Sequence, residues 1–458
     1  MGHNNEQKFT TFFLLILILA LSIGVFTIFK NNFDAQYKAK KESSQEVKGD
    51  AKSVDCATIQ PLVQNVIENS SLPRKWYLKE SVKGTTQSEI LFDVVNSSIQ
   101  DTDLEFFTLK YAVDKSENFK EMEYSKAQKK WLGKINLDEL EVGEHLIKIF
   151  SDINGCDFAY AKELPFTLSY PVFVTWTLDW EGTDVKNSNL DSIVEISSKY
   201  EIPVTHFFNP YIYYSTSESR SKYITNWIIN RKNLGDSVGL HLHMYDKYVT
   251  AAGVTPVEVK WGYNGYGEGY DVPTLEYSYS EFRKILSLAK SDFQRNGLSN
   301  PILYRAGGWF ADGEILKALE DSGFVADSSG RTSYVIGTNK LVGPWKLSTN
   351  TQPYKLNMKD QNDTQNGDSK LWEIPNNGLD SWSFNAKQMI SAFTENYSTG
   401  VSQNTKVVTY LSHPQGFEHD YSILNEVFTY ISEFSFNTDS GPVIFVTIDK
   451  LPMLSENR

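Results

Sequence analysis

From Pro171 onward, apolar runs alternate with amphipathic stretches in a repeated strand–helix order. The first run, VFVTWTL at 172–178, is typical of a strand that is buried on both faces of a parallel sheet. The alternation continues about seven or eight times to the end of the chain. It predicts an α/β fold, namely a distorted (β/α) barrel of about seven strands. A doubly wound open sheet is the alternative, but no glycine-rich phosphate loop follows the first strand to favour it.

The same periodicities place the individual elements of this barrel domain, which we assign to residues 169–458. Strands are expected at 172–178, 203–208, 237–243, 301–308, 324–329, 371–377, 406–414 and 442–449, and helices at 189–201, 217–232, 279–296, 312–322, 386–397 and 421–433. Long polar loops at 254–277 and 330–370 are of the kind that walls an active site.

A different pattern of apolar residues precedes the barrel, at residues 59–168. Short alternating stretches there, separated by turn residues, predict a small all-β domain, an Ig-like antiparallel sandwich. Its strands are expected at 88–96, 104–114, 129–137 and 144–153. The segment holds no constellation of catalytic residues, so we interpret it as a spacer or binding module.

The N-terminal region predicts a membrane anchor. Residues 10–29 carry no charge and are long enough to span a bilayer, so we expect a transmembrane helix at 10–30. A short cytoplasmic tail at 1–9 precedes it, and a polar stalk at 31–58 follows it. A cleaved signal peptide is the alternative, because Ser22 and Gly24 form a weak small-x-small site.

Two features of the sequence favour opposite orientations of this anchor in the membrane. The lysines that follow the span favour a cytoplasmic C-terminal side, but long domains are translocated largely regardless of flanking charge. The chemistry derived below belongs outside the cell, so we expect a membrane-anchored protein on the extracytoplasmic face, at the cell surface.

Charge and cysteine content limit the partners and the compartment. The formal net charge of −13 argues against nucleic acid as a partner. Cys56 and Cys156 fall just before and near the end of the predicted sandwich, so a disulfide between them is plausible and would support export. Two unrelated thiols are the alternative.

Ionisable side chains stand at the carboxyl ends of five predicted barrel strands. Catalytic groups of β/α barrels lie at that end of the sheet, whereas unrelated surface charges would scatter over the helices. The residues concerned are Asp179, Glu181, His241, His243, Arg305, Asp327 and His413.

Two of these residues, His241 and His243, form an HxH pair. Alternate side chains of an extended backbone share a face, so both imidazoles can approach one ion. A catalytic zinc site uses three protein ligands and leaves one position for water, and Asp179 or Glu181 can supply the third ligand. An isolated HxH is more often a pair of hydrogen-bonded histidines. The carboxylates, the arginine and the third histidine at equivalent strand ends favour a divalent metal, with zinc as the expected ion.

The remaining groups suit hydrolysis. A bound metal polarises a carbonyl oxygen and lowers the pKa of a water toward ~7. A nearby carboxylate can accept the proton of that water, and a histidine can protonate the leaving group. The planar guanidinium of Arg305 suits bidentate pairing with the base carboxylate, although a structural salt bridge is the alternative reading.

The order of these short motifs resembles that of the polysaccharide deacetylases of carbohydrate esterase family 4, the NodB-homology domain, over about residues 170–450. The family's first motif is TFDDG, and TLDWEG at 177–182 stands in its place. The resemblance implies that Asp179 is the catalytic base and that Glu181 is the metal-binding acid, displaced by one residue.

The second and third motifs depart from the family's pattern. His241 matches the first metal histidine, but Tyr245 stands where the second is usual, so His243 would have to serve. RAGGW at 305–309 keeps Arg305 as the residue that orients the base but lacks the usual proline. In these DxE and HxH arrangements the chain is similar to divergent bacterial members.

The last two motifs complete the set. Asp327 in VADSS stands where the fourth motif has its aspartate, and it is expected to be part of the catalytic group. Leu411–Ser412–His413 matches the family's LxH, which implies that His413 is the general acid.

These residues predict a metal-dependent hydrolase that removes acetyl groups from N-acetylated sugars of a cell-envelope or extracellular polysaccharide. One alternative is a carbohydrate-binding surface protein with a decayed site, which the altered motifs would explain. A glycoside hydrolase on a related barrel is another, but Asp179 and Glu181 share one strand end and are poorly placed to flank a glycosidic bond.

Overall fold

The computed structural model describes most of the chain from residue 55 onward. The described residues are 55–79, 88–96, 99–100, 104, 107–153, 156, 160–258, 260–263, 266–398 and 400–455. The predicted tail, the predicted anchor at 10–30 and nearly all of the predicted stalk lie outside them. Within the described ranges, no helix combines the length and the apolar character that crossing a bilayer requires.

The chain divides into two compact units. The first comprises Met1–Ile59 with Asn154–Asp157, and the second comprises Gln60–Ile153 with Phe158–Arg458. In the first unit Cys56 and Cys156 are joined by a disulfide, with their Cα atoms 5.7 Å apart. Of the two alternatives that the sequence leaves open, a disulfide or two unrelated thiols, the structure has the disulfide.

The N-terminal part of the structure is a small all-β region that follows one helix. The helix, α1, is Cys56–Glu68, and the strands are β1 Trp76–Leu78, β2 Glu89–Val95, β3 Phe107–Val113, β4 Lys120–Glu121, β5 Glu123–Ser125, β6 Lys130–Asn136, β7 Gly143–Ile153 and β8 Ala161–Ser169. One sheet has the order β1-β8-β7-β3-β4 and the other β2-β6-β5. Every pairing is antiparallel except that of β1 with β8.

The two small sheets face each other through alternate side chains. Along β2, Ile90 and Phe92 are buried whereas Leu91 is 63% exposed, as the period of two requires. Phe92 meets Tyr111 of β3 edge to face, with ring centroids 5.2 Å apart. The two sheets that a sandwich requires are thus present. The sequence did not predict α1, β1 or β8. The Ig-like assignment and the domain boundaries at 59, 168 and 169 remain predictions.

The larger part of the chain alternates strands and helices as predicted. Its strands are β9 Val172–Asp179, β10 Val204–Phe208, β11 Ser237–Leu242, β12 Leu303–Ala306, β13 Ala326–Asp327, β14 Val335–Ile336, β15 Leu341–Val342, β16 Tyr354–Lys355, β17 Trp372–Glu373, β18 Lys406–Ser412 and β19 Val443–Phe445. Its helices are α2 Asn187–Tyr200, α3 Ile212–Ser215, α4 Glu218–Asn233, α5 Asp246–Ala251, α6 Tyr279–Arg295, α7 Gly313–Asp321, α8 Ala386–Asn396, α9 Phe417–Ser432 and α10 Pro452–Ser455.

A curled, mostly parallel sheet organises this part. Its strand order is β16-β17-β13-β12-β11-β10-β9-β18, with β19 also pairing β9, and only β16 runs antiparallel to its neighbour. All eight residues of β9 are buried, which explains its continuous apolar run. After β17, the N–H groups of Gly378 and Ser381 donate to the carbonyls of Thr409 and Leu411 of β18, both at 3.0 Å. This segment therefore pairs with the edge strand β18. The strand path is open, so the sheet forms a distorted, curled half-barrel.

The helices cover the sheet with one apolar face each. In α6, Phe282, Ile285, Ala289 and Phe293 are buried at helical spacing, and the other face is polar. The helix begins with a capping box formed by Ser278 and Glu281, which explains why its first residue was predictable from sequence.

Candidate active site

The carboxyl ends of neighbouring parallel strands bring most of the predicted site residues together. They surround a cavity of about 330 Å³. Five of the seven predicted residues line this cavity: Asp179, Glu181, His241, His243 and His413. The other two, Arg305 and Asp327, are fully buried and do not line it.

Strand alternation explains why the paired residues share the cavity. Asp179 and Glu181 stand two positions apart at the end of β9, and both line it. His241 and His243 are related in the same way at the end of β11, and their rings lie 5.0 Å apart. The i, i+2 geometry predicted for the HxH pair is therefore present.

Glu181, His241 and His243 form a cluster that is able to hold a metal ion. One ligand atom from each lies within 4.8 Å of the others, and each residue is at most 3% exposed. His241 Nδ1 lies 2.9 Å from the carbonyl oxygen of Arg305, and His243 Nδ1 lies 2.7 Å from that of Tyr270. A carbonyl only accepts, so each Nδ1 carries a proton and donates it. This assignment leaves both Nε2 atoms as lone-pair donors for a metal.

The buried polar atoms of this cluster test whether a metal fits. Among the described residues, His241 Nε2 and Glu181 Oε2 are buried without a hydrogen-bond partner. Glu181 Oε2 lies 2.9 Å from His243 Nε2, so two atoms that both offer lone pairs face each other. Unsatisfied buried groups cost about 1–3 kcal/mol each. Two imidazole nitrogens and one carboxylate are a donor set that suits a catalytic divalent metal such as zinc.

The electrostatics favour the ligand forms of these side chains. Burial alone would raise the pKa of Glu181, but the imidazoles of His243, His241 and His413 outweigh it and hold that pKa at about 2. Burial is the main cause that lowers the pKa of His241, which favours the neutral imidazole. The ionised carboxylate is the form that ligates a metal, and metal binding would displace from each Nε2 any proton that contributes to this low pKa.

Arg305 holds Asp179 from beneath the cavity. Its Nη1 donates to Asp179 Oδ1 at 2.9 Å and to Thr177 Oγ1 at 2.7 Å. Its Nε and Nη2 donate to the carbonyl and hydroxyl oxygens of Ser328, both at 2.7 Å. The expected bidentate pairing is therefore not present: the fork is shared with Ser328, and Asp179 is held through one oxygen. That arrangement orients the carboxylate while the residue still lines the cavity.

His413 stands on the opposite side of Glu181 from His243. Its Nε2 lies 3.5 Å from Glu181 Oε1, and its backbone N–H donates to Asp420 Oδ2 at 3.1 Å. Burial lowers the pKa of His413, but the negative charges of Glu181, Asp179, Asp420 and Asp380 outweigh burial and raise it. This direction favours the protonated form relative to a free imidazole, as a general acid needs.

Asp327 lies away from the cavity and faces another carboxyl group. It pairs in register with Glu373 of β17, and both side chains are fully buried. Burial is the largest cause that raises the pKa of each, and the pKa of Glu373 lies well above its usual value. Ser329 donates to Asp327 through its hydroxyl at 2.8 Å, and Gly330 N–H donates to Glu373 Oε1 at 2.8 Å. In this structure the pair supports the turn that carries the Ser328 contacts of Arg305, and Asp327 does not contact the cavity.

The cavity walls contain residues that the strand-end reasoning did not single out. The predicted loop 254–277 supplies four aromatic residues, and two more come from elsewhere: Trp261, Tyr263, Tyr266, Tyr270, Trp309 and Trp382. Trp382 is 57% exposed at the rim. Asp380 also lines the cavity and lies 3.5 Å from Arg331. The density of Trp and Tyr in the loop was the available signal, but nothing local marks Asp380, which follows β17 by seven positions.

Comparison with known proteins gives matches only among solved structures. No protein-family model matches the sequence, and neither does the sequence of any curated protein. The chain is similar to a protein assigned as a polysaccharide deacetylase from Mycobacterium smegmatis, with 14% identity, a TM-score of 0.39 and coverage of 61% of this chain and 88% of that one. It is also similar to the peptidoglycan deacetylase PdaC from Bacillus subtilis, with 13% identity, a TM-score of 0.33 and coverage of 63% and 93%.

A third similar structure is a family 4 acetyl xylan esterase from Clostridium thermocellum in complex with a cobalt ion, with 14% identity, a TM-score of 0.32 and coverage of 62% and 96%. The matched structures include a family 4 esterase, the kind of protein that the motif order resembles. Activity and substrate are proposed below from the site itself.

Proposed function

We propose that this protein is a metal-dependent hydrolase that removes acetyl groups from N-acetylated sugars in a cell-envelope or extracellular polysaccharide. The carrying observation is the buried Glu181–His241–His243 cluster, in which one ligand atom from each residue lies within 4.8 Å of the others. Two of its atoms, Glu181 Oε2 and His241 Nε2, are buried without a hydrogen-bond partner. It lies in the same cavity as Asp179, which Arg305 holds, and His413.

Each side chain then has a task that its surroundings support. A divalent metal, with zinc as our expectation, supplies polarisation of the amide carbonyl and acidification of a water. Asp179 accepts the proton of the attacking water, because its carboxylate lines the cavity and Arg305 keeps it oriented. His413 gives a proton to the departing amine nitrogen, since the surrounding carboxylates favour its protonated form.

The cavity wall is suited to a sugar ring. Among its described lining residues are six aromatic side chains, Trp261, Tyr263, Tyr266, Tyr270, Trp309 and Trp382. The aromatic rings offer flat apolar surfaces on which a sugar ring packs while a few polar groups fix its orientation.

The test combines metal analysis with acetyl release. We expect residues 56–458 to bind about one zinc per chain and to release amine groups from N-acetylated oligosaccharides. Asp179→Asn should keep the metal and lose about 10²–10⁴-fold in kcat, because it removes the proton acceptor. Glu181→Gln should lose the metal as well.

A glycan-binding protein without turnover is the second candidate, and the aromatic walls by themselves support it. Metal content separates the two, since binding alone has no need of the cluster. A protein that holds no metal, releases no amine and still binds N-acetylated oligosaccharides would overturn the hydrolase proposal.

We also propose that the protein is held by its N-terminal segment at the extracytoplasmic face of a membrane. The Cys56–Cys156 disulfide supports this, because disulfides persist in oxidising compartments. Protease added to intact cells should degrade the barrel domain, and full protection in intact cells would contradict the location.

A further inference from the structure

The end of β9 is fixed by side chains that do not themselves line the cavity. Tyr245 donates its hydroxyl hydrogen to the carbonyl oxygen of Glu181 at 2.7 Å. Trp180 donates its indole N–H to His206 Nδ1 at 3.3 Å. Neither Trp180 nor Tyr245 is among the cavity-lining residues. The residues on either side of Trp180 are the base and the metal-binding acid, so its orientation and theirs are linked.

The Trp180 contact belongs to a buried chain of matched donors and acceptors. Arg231 Nε donates to Asp236 Oδ2 at 2.7 Å, and His206 Nε2 lies 2.9 Å from the same oxygen. A carboxylate only accepts, so His206 carries its proton on Nε2 and its Nδ1 is an acceptor. An indole N–H only donates, so it is the correct partner for that nitrogen. This chain of hydrogen bonds therefore matches a tryptophan at position 180 in polarity as well as in shape.

The surrounding rings fix the plane of the Trp180 indole. It packs against Phe208 of β10 and Trp227 of α4, each with centroids 5.7 Å away. The indole thus lies in the layer between the sheet and α4. Because side chains alternate along a strand, this orientation directs Asp179 and Glu181 together toward the cavity.

Tyr245 acts on the same segment from the other side. Its ring is fully buried and stacks on Tyr211, with centroids 3.7 Å apart and planes 12° from parallel. A carbonyl oxygen only accepts, so the phenol is the donor in this contact. Its hydroxyl donates a hydrogen bond to the Glu181 backbone and is not directed at the metal cluster. A tyrosine here thus fixes the ligand-bearing backbone.

We propose that Trp180 and Tyr245 are positioning residues, which hold the Asp179–Trp180–Glu181 segment so that the Glu181 carboxylate meets His241 and His243. This inference rests on the metal centre put forward under the proposed function. It accounts for two sequence departures together: an acid that follows the base after an intervening tryptophan, and a tyrosine two residues after the HxH pair.

The test uses variants of the full chain that remove a donor and keep an aromatic ring. Tyr245→Phe deletes only the hydroxyl, and Trp180→Phe replaces the indole, with its N–H, by a smaller phenyl ring. Tyr211→Phe is the matched control, because it deletes a hydroxyl from the ring stacked on Tyr245, and no hydrogen bond of the described residues joins that hydroxyl to Glu181. Zinc affinity is measured by competition with a chromophoric chelator, and the Tm of the metal-free protein is measured alongside.

We expect each of the two variants to bind zinc roughly 10–100-fold more weakly than the wild type, the range for lost outer contacts of metal ligands. The control should change affinity less than about twofold. A purely structural role would lower the metal-free Tm and leave the affinity of the folded protein unchanged. Wild-type zinc affinity in both variants would overturn the proposal, and so would an equal loss in the control.

The outcome remains separable from that of the proposed function. Normal zinc binding by an inactive wild type would overturn the hydrolase and leave the positioning proposal standing. If the wild type binds no zinc, the metal centre fails, and crystal structures of the metal-free wild type and Tyr245→Phe decide the positioning. A Glu181 Oε2–His243 Nε2 separation that stays near 2.9 Å in the variant would then overturn it.

Discussion

Replacing Arg305 with methionine should strongly destabilise the barrel domain. Arg305 is fully buried and makes hydrogen bonds to Ser328, Thr177 and Asp179 through all of its guanidinium nitrogens. Methionine fills much of the volume over Phe207, whose ring centroid lies 4.3 Å from the guanidinium carbon. It leaves the buried carboxylate of Asp179 without its cation.

The magnitude follows from these contacts. Breaking a buried ion pair by removing one partner costs about 3–5 kcal/mol. The oxygens of Ser328 and Thr177 also lose charge-assisted hydrogen bonds, a loss that the retained apolar packing of the methionine partly offsets. We therefore expect the free energy of unfolding to fall by about 4 kcal/mol, or roughly 1000-fold in the unfolding equilibrium constant. Arg305→Lys should lose less, because it keeps a charge near Asp179.

Urea unfolding of the metal-free protein at pH 7, followed by tryptophan fluorescence, measures this loss as a shift of the midpoint at constant slope. Lys186→Met is the control. Lys186 pairs with Glu418 at 2.6 Å with both side chains more than half exposed, so its loss should cost less than about 1 kcal/mol. A loss below about 1 kcal/mol for Arg305→Met would refute the view that Arg305 holds a buried carboxylate.

Two further predictions concern the buried carboxyl pair and the rim. Because burial raises the pKa of Glu373 above its unfolded value near 4.5, the native state binds more protons than the unfolded state, and stability is lost as pH rises through the folded pKa. Urea midpoints at several pH values should therefore fall less steeply toward alkaline pH for Glu373→Gln, and parallel wild-type and variant curves would contradict this. Trp382→Ala should raise KM about fivefold to tenfold for an N-acetylated oligosaccharide and leave kcat nearly unchanged, since a rim ring binds ground and transition states alike. Steady-state rates measure the split, and a fall in kcat at constant KM would count against a sugar-binding platform.

Much of the barrel was predictable because its elements depend on local patterns. The continuous apolar run at 172–178 marked β9, and the helical spacing with its capping box marked α6 to within one residue of its end. Parallel strands all present their carboxyl ends to one edge. The sequence positions of Asp179, Glu181 and His413 were therefore enough to predict that they meet.

The small β region shows where local patterns are insufficient. Its central strands followed the period of two, but β8 at Ala161–Ser169 and the parallel partner β1 at Trp76–Leu78 were not predicted. The paired residues Tyr77 and Leu168 are 91 positions apart in the sequence (168 − 77). Such a pairing is a matter of topology, since a short strand acquires its partner only when the intervening chain has folded.

 Within that pairing, Trp76 lies opposite Thr167, a partner that no local signal near either strand identifies.

The sequence by itself therefore determined the strand–helix order, the strand ends that carry ionisable groups and the face that His241 and His243 share. Only the tertiary structure decided how those groups are used. The proton positions of the two histidines depend on carbonyls 64 and 27 residues away, at Arg305 and Tyr270. The tertiary structure also decided the surroundings of Asp327, which meets Glu373 of the neighbouring strand β17 instead of facing the cavity. Hydrogen bonds and carboxyl pairs of this kind depend on sheet order and loop paths, which bring distant residues together, and local propensity contains no information about them.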